Sequence, residues 1–85
     1  MTTKYRVTAV LPDNTEVVVL KGSTRPYVAS VAIKRVADTE WGVITNHLTF
    51  AAAHKQARTL RGHWPDAEIE VVPATPTAVH TGGDR

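Results

Sequence analysis

Three cations between Thr49 and Trp64 are the residues best placed to bind a charged partner. Lys55, Arg58 and Arg61 recur every three residues, and this segment contains no Asp or Glu. On a helix, cations at this spacing follow one side, where each can contact a phosphate and release a counterion. A solvent-exposed helix face with cations near its negative end is the simpler interpretation. The three cations are therefore candidate contacts for an anionic partner, either nucleic acid or an acidic protein.

Other residue types that carry out chemistry form no site pattern in this sequence. There is no Cys, which excludes disulfides and thiolate chemistry. The four His lack the i, i+4 spacing of a helical zinc pair, and neither Ser23 nor Ser30 sits in a glycine-flanked nucleophile motif. Glu68 and Glu70 point to the same side of one strand, which suits a wet face. We therefore expect no enzymatic activity, no metal, no cofactor and no small-molecule substrate.

The chain that must position these residues has the composition of one small domain. Its 85 residues are 42% hydrophobic and 21% charged, and a domain of this size buries about 60–65% of its unfolded surface. The net charge is +2, but nine Lys and Arg against four acids precede Trp64, and one Arg against four acids follows it. No apolar run is long enough to cross a membrane, and the first residues lack the apolar core of a signal peptide. We expect a cytoplasmic protein without membrane contact.

The beginning of the chain predicts a β-hairpin. Residues 4–11 alternate apolar and polar side chains, and a Pro-Asp-Asn turn follows at residues 12–14. The next strand is rich in β-branched residues, and its run from Val17 to Leu20 is apolar on both faces. One face of this run must be covered by something other than water, and a second subunit is one such cover. Val17 and Val19 are therefore candidate interface residues.

The middle of the chain predicts a second pair of strands. Residues 27–36 allow two interpretations, because the segment before them suits a helix start whereas their Val and Ile residues favour a strand. We predict a strand there, with residues 41–45 as its partner. Trp41 begins this partner strand and is most simply a core residue. An exposed Trp anchors interfaces, so Trp41 joins the two valines as a candidate interface residue.

The segment from Thr49 to Trp64 predicts one amphipathic helix. Thr49 is a suitable N-cap, and Pro65 prevents the helix from continuing. The apolar side chains expected to pack on a sheet recur at spacings of three and four: Phe50, Ala53, Ala57, Leu60 and Trp64. Residues 67–71 alternate as a last strand. Residues 73–85 contain Pro and Gly without periodicity and predict a flexible tail.

Together these segments predict an α+β fold. The order β-β-β-β-α-β gives a mostly antiparallel sheet of four or five strands with one helix packed on one face. In this prediction residues 1–72 form a single domain and residues 73–85 follow it as the tail. Because one helix covers one face of a sheet, we expect the other face to be exposed or to form an interface.

Part of the sequence resembles a recurrent pattern in small, mostly uncharacterised proteins of actinobacteria and their phages. The pattern consists of Trp41-Gly42-Val43-Ile44, an alanine-rich helix start at residues 48–53, Ala57, and an acidic strand at residues 64–71. The resemblance implies an α+β accessory protein, of phage or actinobacterial type, that acts by binding. The same region is similar to the strand-then-helix step of three-stranded DNA-binding folds that carry a packing helix.

The function expected from the sequence is therefore binding. The preferred prediction is a small interaction protein, such as a phage accessory protein, whose partner is a host protein or a second copy of itself. The alternative is a nucleic-acid-binding domain that uses the basic helix face or the sheet surface. The protein partner is preferred because no helix-turn-helix pair and no aromatic RNA-binding strand is present.

Overall fold

The computed structural model describes residues 3–79 as one five-stranded sheet with one helix. The elements are β1 (Lys4–Val10), β2 (Glu16–Ser23), β3 (Ala29–Lys34), β4 (Gly42–His47), α1 (Phe50–His63) and β5 (Glu68–Val79). The strands lie in the order β2-β1-β5-β3-β4, and all neighbours pair antiparallel. The predicted α+β class and element order are confirmed, and so is the strand predicted within residues 27–36.

The last strand, β5, joins two halves of the sheet because each of its own halves pairs with a different strand. Residues 68–73 pair with β3, and residues 74–79 pair with β1. The prediction of a flexible tail from residue 73 is therefore wrong for residues 73–79, and residues 80–85 lie outside the described residues. Proline has no backbone N–H to donate to a ladder. It is compatible with β5 because each half of this strand pairs on one side only, so part of its backbone is not needed for pairing.

The predicted hairpin at the start of the chain is confirmed. β1 and β2 pair through residues 5–10 and 16–23. In the turn, the Leu11 N–H donates to the Thr15 carbonyl oxygen and the Asn14 N–H donates to the Leu11 carbonyl oxygen, both at 2.8 Å. Asn14 has a φ of 70°, a left-handed conformation that Asn tolerates better than most residues.

A bulge in β2 explains the two-sided apolar run of this strand. Val7 lies opposite Leu20 and Thr8 lies opposite Val18, so Val19 is an extra residue in the ladder. Val19 and Leu20 consequently both pack against the apolar core, although they are consecutive. The chain's own core therefore covers most of this run and leaves only Val18 exposed, at 48%, whereas a second subunit as a further cover stays a prediction.

The helix α1 begins and ends where the sequence predicts. The Thr49 hydroxyl accepts a hydrogen bond from the Ala52 N–H at 3.1 Å, which caps the helix, and the Trp64 N–H donates to the Leu60 carbonyl oxygen before Pro65. The centre of its apolar stripe is buried, but the two ends are not: Phe50 is 46% and Trp64 is 43% exposed. Among the described residues, no helix has both the length and the apolarity to cross a bilayer.

The sheet has an apolar core on each of its two faces. Under α1, the buried residues are Ala29, Val31, Ile33, Ala53, Ala57, Leu60 and Ile69. On the opposite face, they are Val7, Ala9, Leu11, Ala32, Val72 and Ala74, with side chains from β2 and β4 packed against them. The sheet curls into a half-barrel, so the edge strands β2 and β4 approach across this concave face. The expectation that this face is exposed or forms an interface is therefore corrected for its centre, which the curl of the sheet buries.

Candidate protein-binding groove

The concave face remains open between the two edge strands and forms a groove there. The groove holds a cavity of about 300 Å³, hereafter the concave cavity. Its walls are Leu11, Val17 and Val19 on one side and Trp41, Gly42, Val43 and Asn46 on the other. Five of these seven residues have apolar side chains. The cavity is therefore an open cleft whose walls combine apolar side chains with polar groups, and it can take an apolar group of a ligand.

A second cavity lies against the first, on the helix side of β4. It has a volume of about 410 Å³ and is hereafter the Trp64 cavity. It is lined by Ile33, Arg35, Asp38, Glu40, Trp41, Gly42, Val43, Ile44 and Trp64. Trp41, Gly42 and Val43 line both cavities, so the start of β4 is their common wall. This common wall carries no side chain at Gly42, and a Cβ added there would meet no atom within 4 Å.

One amide in the concave cavity is held by a buried hydroxyl. The Ser30 side chain is fully buried, and its Oγ donates to Asn46 Oδ1 at 2.7 Å across the β3–β4 ladder. This hydrogen bond uses the carbonyl oxygen of the amide. Among the residues that the structure describes, the Asn46 side-chain N–H groups donate to no protein group, so they are available to a ligand. A buried partner that orients a surface amide in this way reduces the entropy lost on binding.

The Arg35 guanidinium is a cation of the chain itself that packs within the lining of the Trp64 cavity. The Arg35 guanidinium carbon lies 5.6 Å from the centroid of the Trp64 ring, and Arg35 Nε donates to Asp38 Oδ2 at 3.1 Å. The Arg35 backbone N–H also donates to this oxygen, at 2.9 Å. That backbone bond, followed by the side-chain bond, holds the pKa of Asp38 below its ordinary value. The wall of the cavity is thus suited to a planar cation.

The structure brings together the three candidate interface residues predicted from sequence. Val17, Val19 and Trp41 are all half-buried, and all three line the concave cavity. They meet there because the sheet curls, whereas the sequence argument placed the valines on a face awaiting a second subunit. Trp41 belongs to the core and to the cavity wall at once.

The basic residues of α1 lie on the other side of the sheet. Lys55, Arg58 and Arg61 are all exposed. Arg61 donates from a terminal guanidinium nitrogen to the Ile69 carbonyl oxygen of β5 at 3.0 Å, so part of its hydrogen-bonding capacity serves the fold. Within residues 3–79 the only ion pair is that between Arg35 and Asp38, and Lys55 and Arg58 therefore have no acidic partner in this region.

Sequence reasoning missed Ser30 and Asn46 at the concave cavity and Glu40 at the Trp64 cavity. Asn46 lies just beyond the strand predicted at residues 41–45, whereas the structure places it within β4. Its contact with Ser30 spans sixteen positions and depends on the β3–β4 register, which the sequence does not specify. For Glu40 the sequence offers one signal of a place near the site, because this residue immediately precedes the candidate interface residue Trp41.

Comparison with protein families, with curated proteins and with solved structures finds no match. The resemblance to actinobacterial and phage proteins therefore stays a prediction. Over residues 3–79, there is also no group of three or more His, Asp or Glu side chains arranged to hold a metal ion.

Proposed function

We propose that this protein is a small non-enzymatic interaction module whose concave cavity takes an apolar side chain of a protein partner. The observation that supports the proposal is an open cleft between β2 and β4 that is walled by Trp41 and four further apolar side chains and is also lined by the Asn46 amide. Interfaces of proteins are anchored by apolar and aromatic side chains in pockets that lose their water on binding. The oriented Asn46 amide adds one directional hydrogen-bond donor, which suits a backbone carbonyl of a partner.

Insertion of a side chain fits this sheet better than addition of a strand. Both edge strands carry irregularities: β2 has its bulge at Val19, and the β3–β4 ladder skips Ile44 between Val43 and Thr45. Bulges on edge strands disrupt the row of backbone groups that another strand would need. We therefore assign recognition to the groove between the edges, with the edges themselves protected from pairing.

The proposal predicts opposite outcomes for two neighbouring valines. Val17→Lys places an ammonium group at the wall of the concave cavity, whereas Val18→Lys makes the same change on the outer face of β2. Peptides are selected on the wild-type protein from a displayed random library, and their affinities for both variants are measured. We expect Val17→Lys to weaken binding at least about tenfold and Val18→Lys to leave it within about twofold.

The comparison requires that both variants fold, which thermal unfolding and amide NMR spectra establish. Peptides that bind Val17→Lys as tightly as wild type contradict the proposal. So does a library that yields no peptide whose binding shifts the Trp41 indole resonance. A host protein as the natural partner, and a role in a phage, stay predictions of the resemblance.

A second candidate function is nucleic-acid binding by α1. It is favoured by the exposed Lys55 and Arg58, which have no acidic partner in the described region. If α1 binds duplex DNA or RNA, charge reversal at both positions lowers the affinity at low salt by about tenfold or more and reduces the salt dependence. Lys21→Glu with Arg25→Glu makes the same charge change away from α1 and is the matched control. Absence of salt-dependent binding at micromolar wild-type protein excludes this candidate.

A further inference from the structure

The topology gathers acidic side chains at one end of the sheet. That end contains the β1–β2 turn, the β3–β4 loop, the end of α1 and the start of β5. All seven acidic residues of the described chain lie there: Asp13, Glu16, Asp38, Glu40, Asp66, Glu68 and Glu70. Lys34, Arg35 and Arg61 lie at this end as well, whereas the opposite end carries Lys4, Arg6, Lys21 and Arg25 and none of these acidic residues. The acidic residues of the described chain are therefore concentrated at one end of the strands, although the net charge is +2.

Both cavities are at the acidic end. Trp41 and Gly42, which line both, mark the beginning of β4, and Leu11 and Val17 flank the β1–β2 turn. Glu40 lines the Trp64 cavity, is exposed, and makes no ion pair among the residues that the structure describes. A ligand that enters the Trp64 cavity therefore meets the carboxylate of Glu40, which favours a cation.

The Trp64 cavity combines an acid with two aromatic rings. Trp41 and Trp64 both line it together with Glu40. Arg35 shows how this wall accommodates a guanidinium, since it lies over the Trp64 ring and pairs with Asp38. Glu40 and Trp41 add a further carboxylate and a further ring to the lining of this cavity, and these are the two groups that bind a cation supplied from outside.

Resting on the proposed function, we infer that the partner is a basic protein segment. One of its apolar side chains enters the concave cavity, and an adjacent Lys or Arg side chain enters the Trp64 cavity beside Glu40. The two cavities share a wall that has no side chain at Gly42. Neighbouring side chains of one segment therefore reach both cavities. The apolar contact supplies the anchor, and the charge selects this segment over acidic ones.

Three short peptides test the inference. Each has a central Leu, flanked by Lys in the first, Gln in the second and Glu in the third. Their affinities are measured by NMR titration of the Trp41 indole at physiological salt. We expect the Lys peptide to bind about tenfold more tightly than the Glu peptide, with the Gln peptide between them. Glu40→Lys is expected to abolish this preference.

Two further variants separate local from general effects. Asp66→Lys makes the same charge change at the same end, but Asp66 lines neither of the two cavities, so the preference for Lys is expected to persist. Gly42→Val places a side chain on the shared wall of the two cavities. Because an added Cβ has open space there, we expect the variant to fold normally. We expect it to weaken the Lys peptide at least about fivefold without lowering the thermal stability.

The possible outcomes distinguish this inference from the proposed function. Equal affinities for the three peptides, or library peptides that enter the cavity and are neutral or acidic, overturn the basic partner and leave the binding module intact. A library without any cavity-binding peptide overturns both. A second copy of the chain is the remaining possible occupant, and sedimentation of the protein alone tests it. If the protein self-associates and Glu40→Lys abolishes that association, the cavity binds the basic end of a second copy and the inference is overturned.

Discussion

A chain ending at Val72 is expected to lose cooperative folding, whereas a chain ending at Val79 unfolds in one transition. The difference is the second half of β5, which pairs with β1 over six residues and contributes the buried Ala74. Without it, the β1–β2 hairpin has no sheet to join, and Val7 and Ala9 lose their cover on the concave face. An isolated hairpin is at best marginally stable. The expected loss of about 5 kcal/mol or more is comparable to the whole stability of a small domain.

Thermal unfolding followed by far-ultraviolet circular dichroism measures this effect. Neither chain contains residues 80–85, so the comparison isolates residues 73–79. Tryptophan emission provides a second probe, because Trp41 packs against the concave core that the truncation opens. Indistinguishable midpoints for the two chains would restore the flexible tail expected from composition alone.

The next largest effect is expected at the helix, where Leu60→Ala costs far more than Phe50→Ala. Sequence spacing places both residues on one apolar stripe and does not distinguish them. In the structure Leu60 is 9% exposed within the core under α1, whereas Phe50 is 46% exposed at the first turn. Removal of a buried Leu costs about 2–5 kcal/mol, because a cavity remains where the side chain was. For Phe50→Ala we expect about 1 kcal/mol, since half of its surface already meets water.

Urea denaturation of both variants measures the two free energies of unfolding. The slope with denaturant must be unchanged for the comparison to report on the folded state. A larger cost at Phe50 than at Leu60 would contradict the packing of α1 on β3 and β5. Equal costs would mean that the whole stripe is buried, as the spacing alone suggests.

Local signals in the sequence predicted most of the elements. Alternation in residues 4–11 and the Asn14 turn identify the hairpin because a strand period and a left-handed residue depend on near neighbours only. The Thr49 cap and Pro65 similarly define α1. The error at residues 73–79 has the opposite origin: Pro and Thr there lack a periodic pattern, and the strand forms because β1 offers a ladder to it.

The sequence predicted three residues of the concave cavity but not that they lie together. Val17, Val19 and Trp41 were selected individually, two as an excess of apolar surface and one as an aromatic residue at a strand start. Their meeting in one cavity follows from the curl of the sheet. Curvature is set by the bulges at Val19 and Ile44 together with the strand order, and neither can be read from spacing.

Local patterns in the sequence were enough to predict the α+β class, the position of the helix and the uneven distribution of charge along the chain. These properties depend on composition and on contacts between residues close in sequence. The central position of β5, the second core on the concave face and the gathering of seven acidic residues at the end that holds both cavities became visible only in the folded chain. These depend on the pairing of distant strands, whose register is selected by burial across the whole sheet.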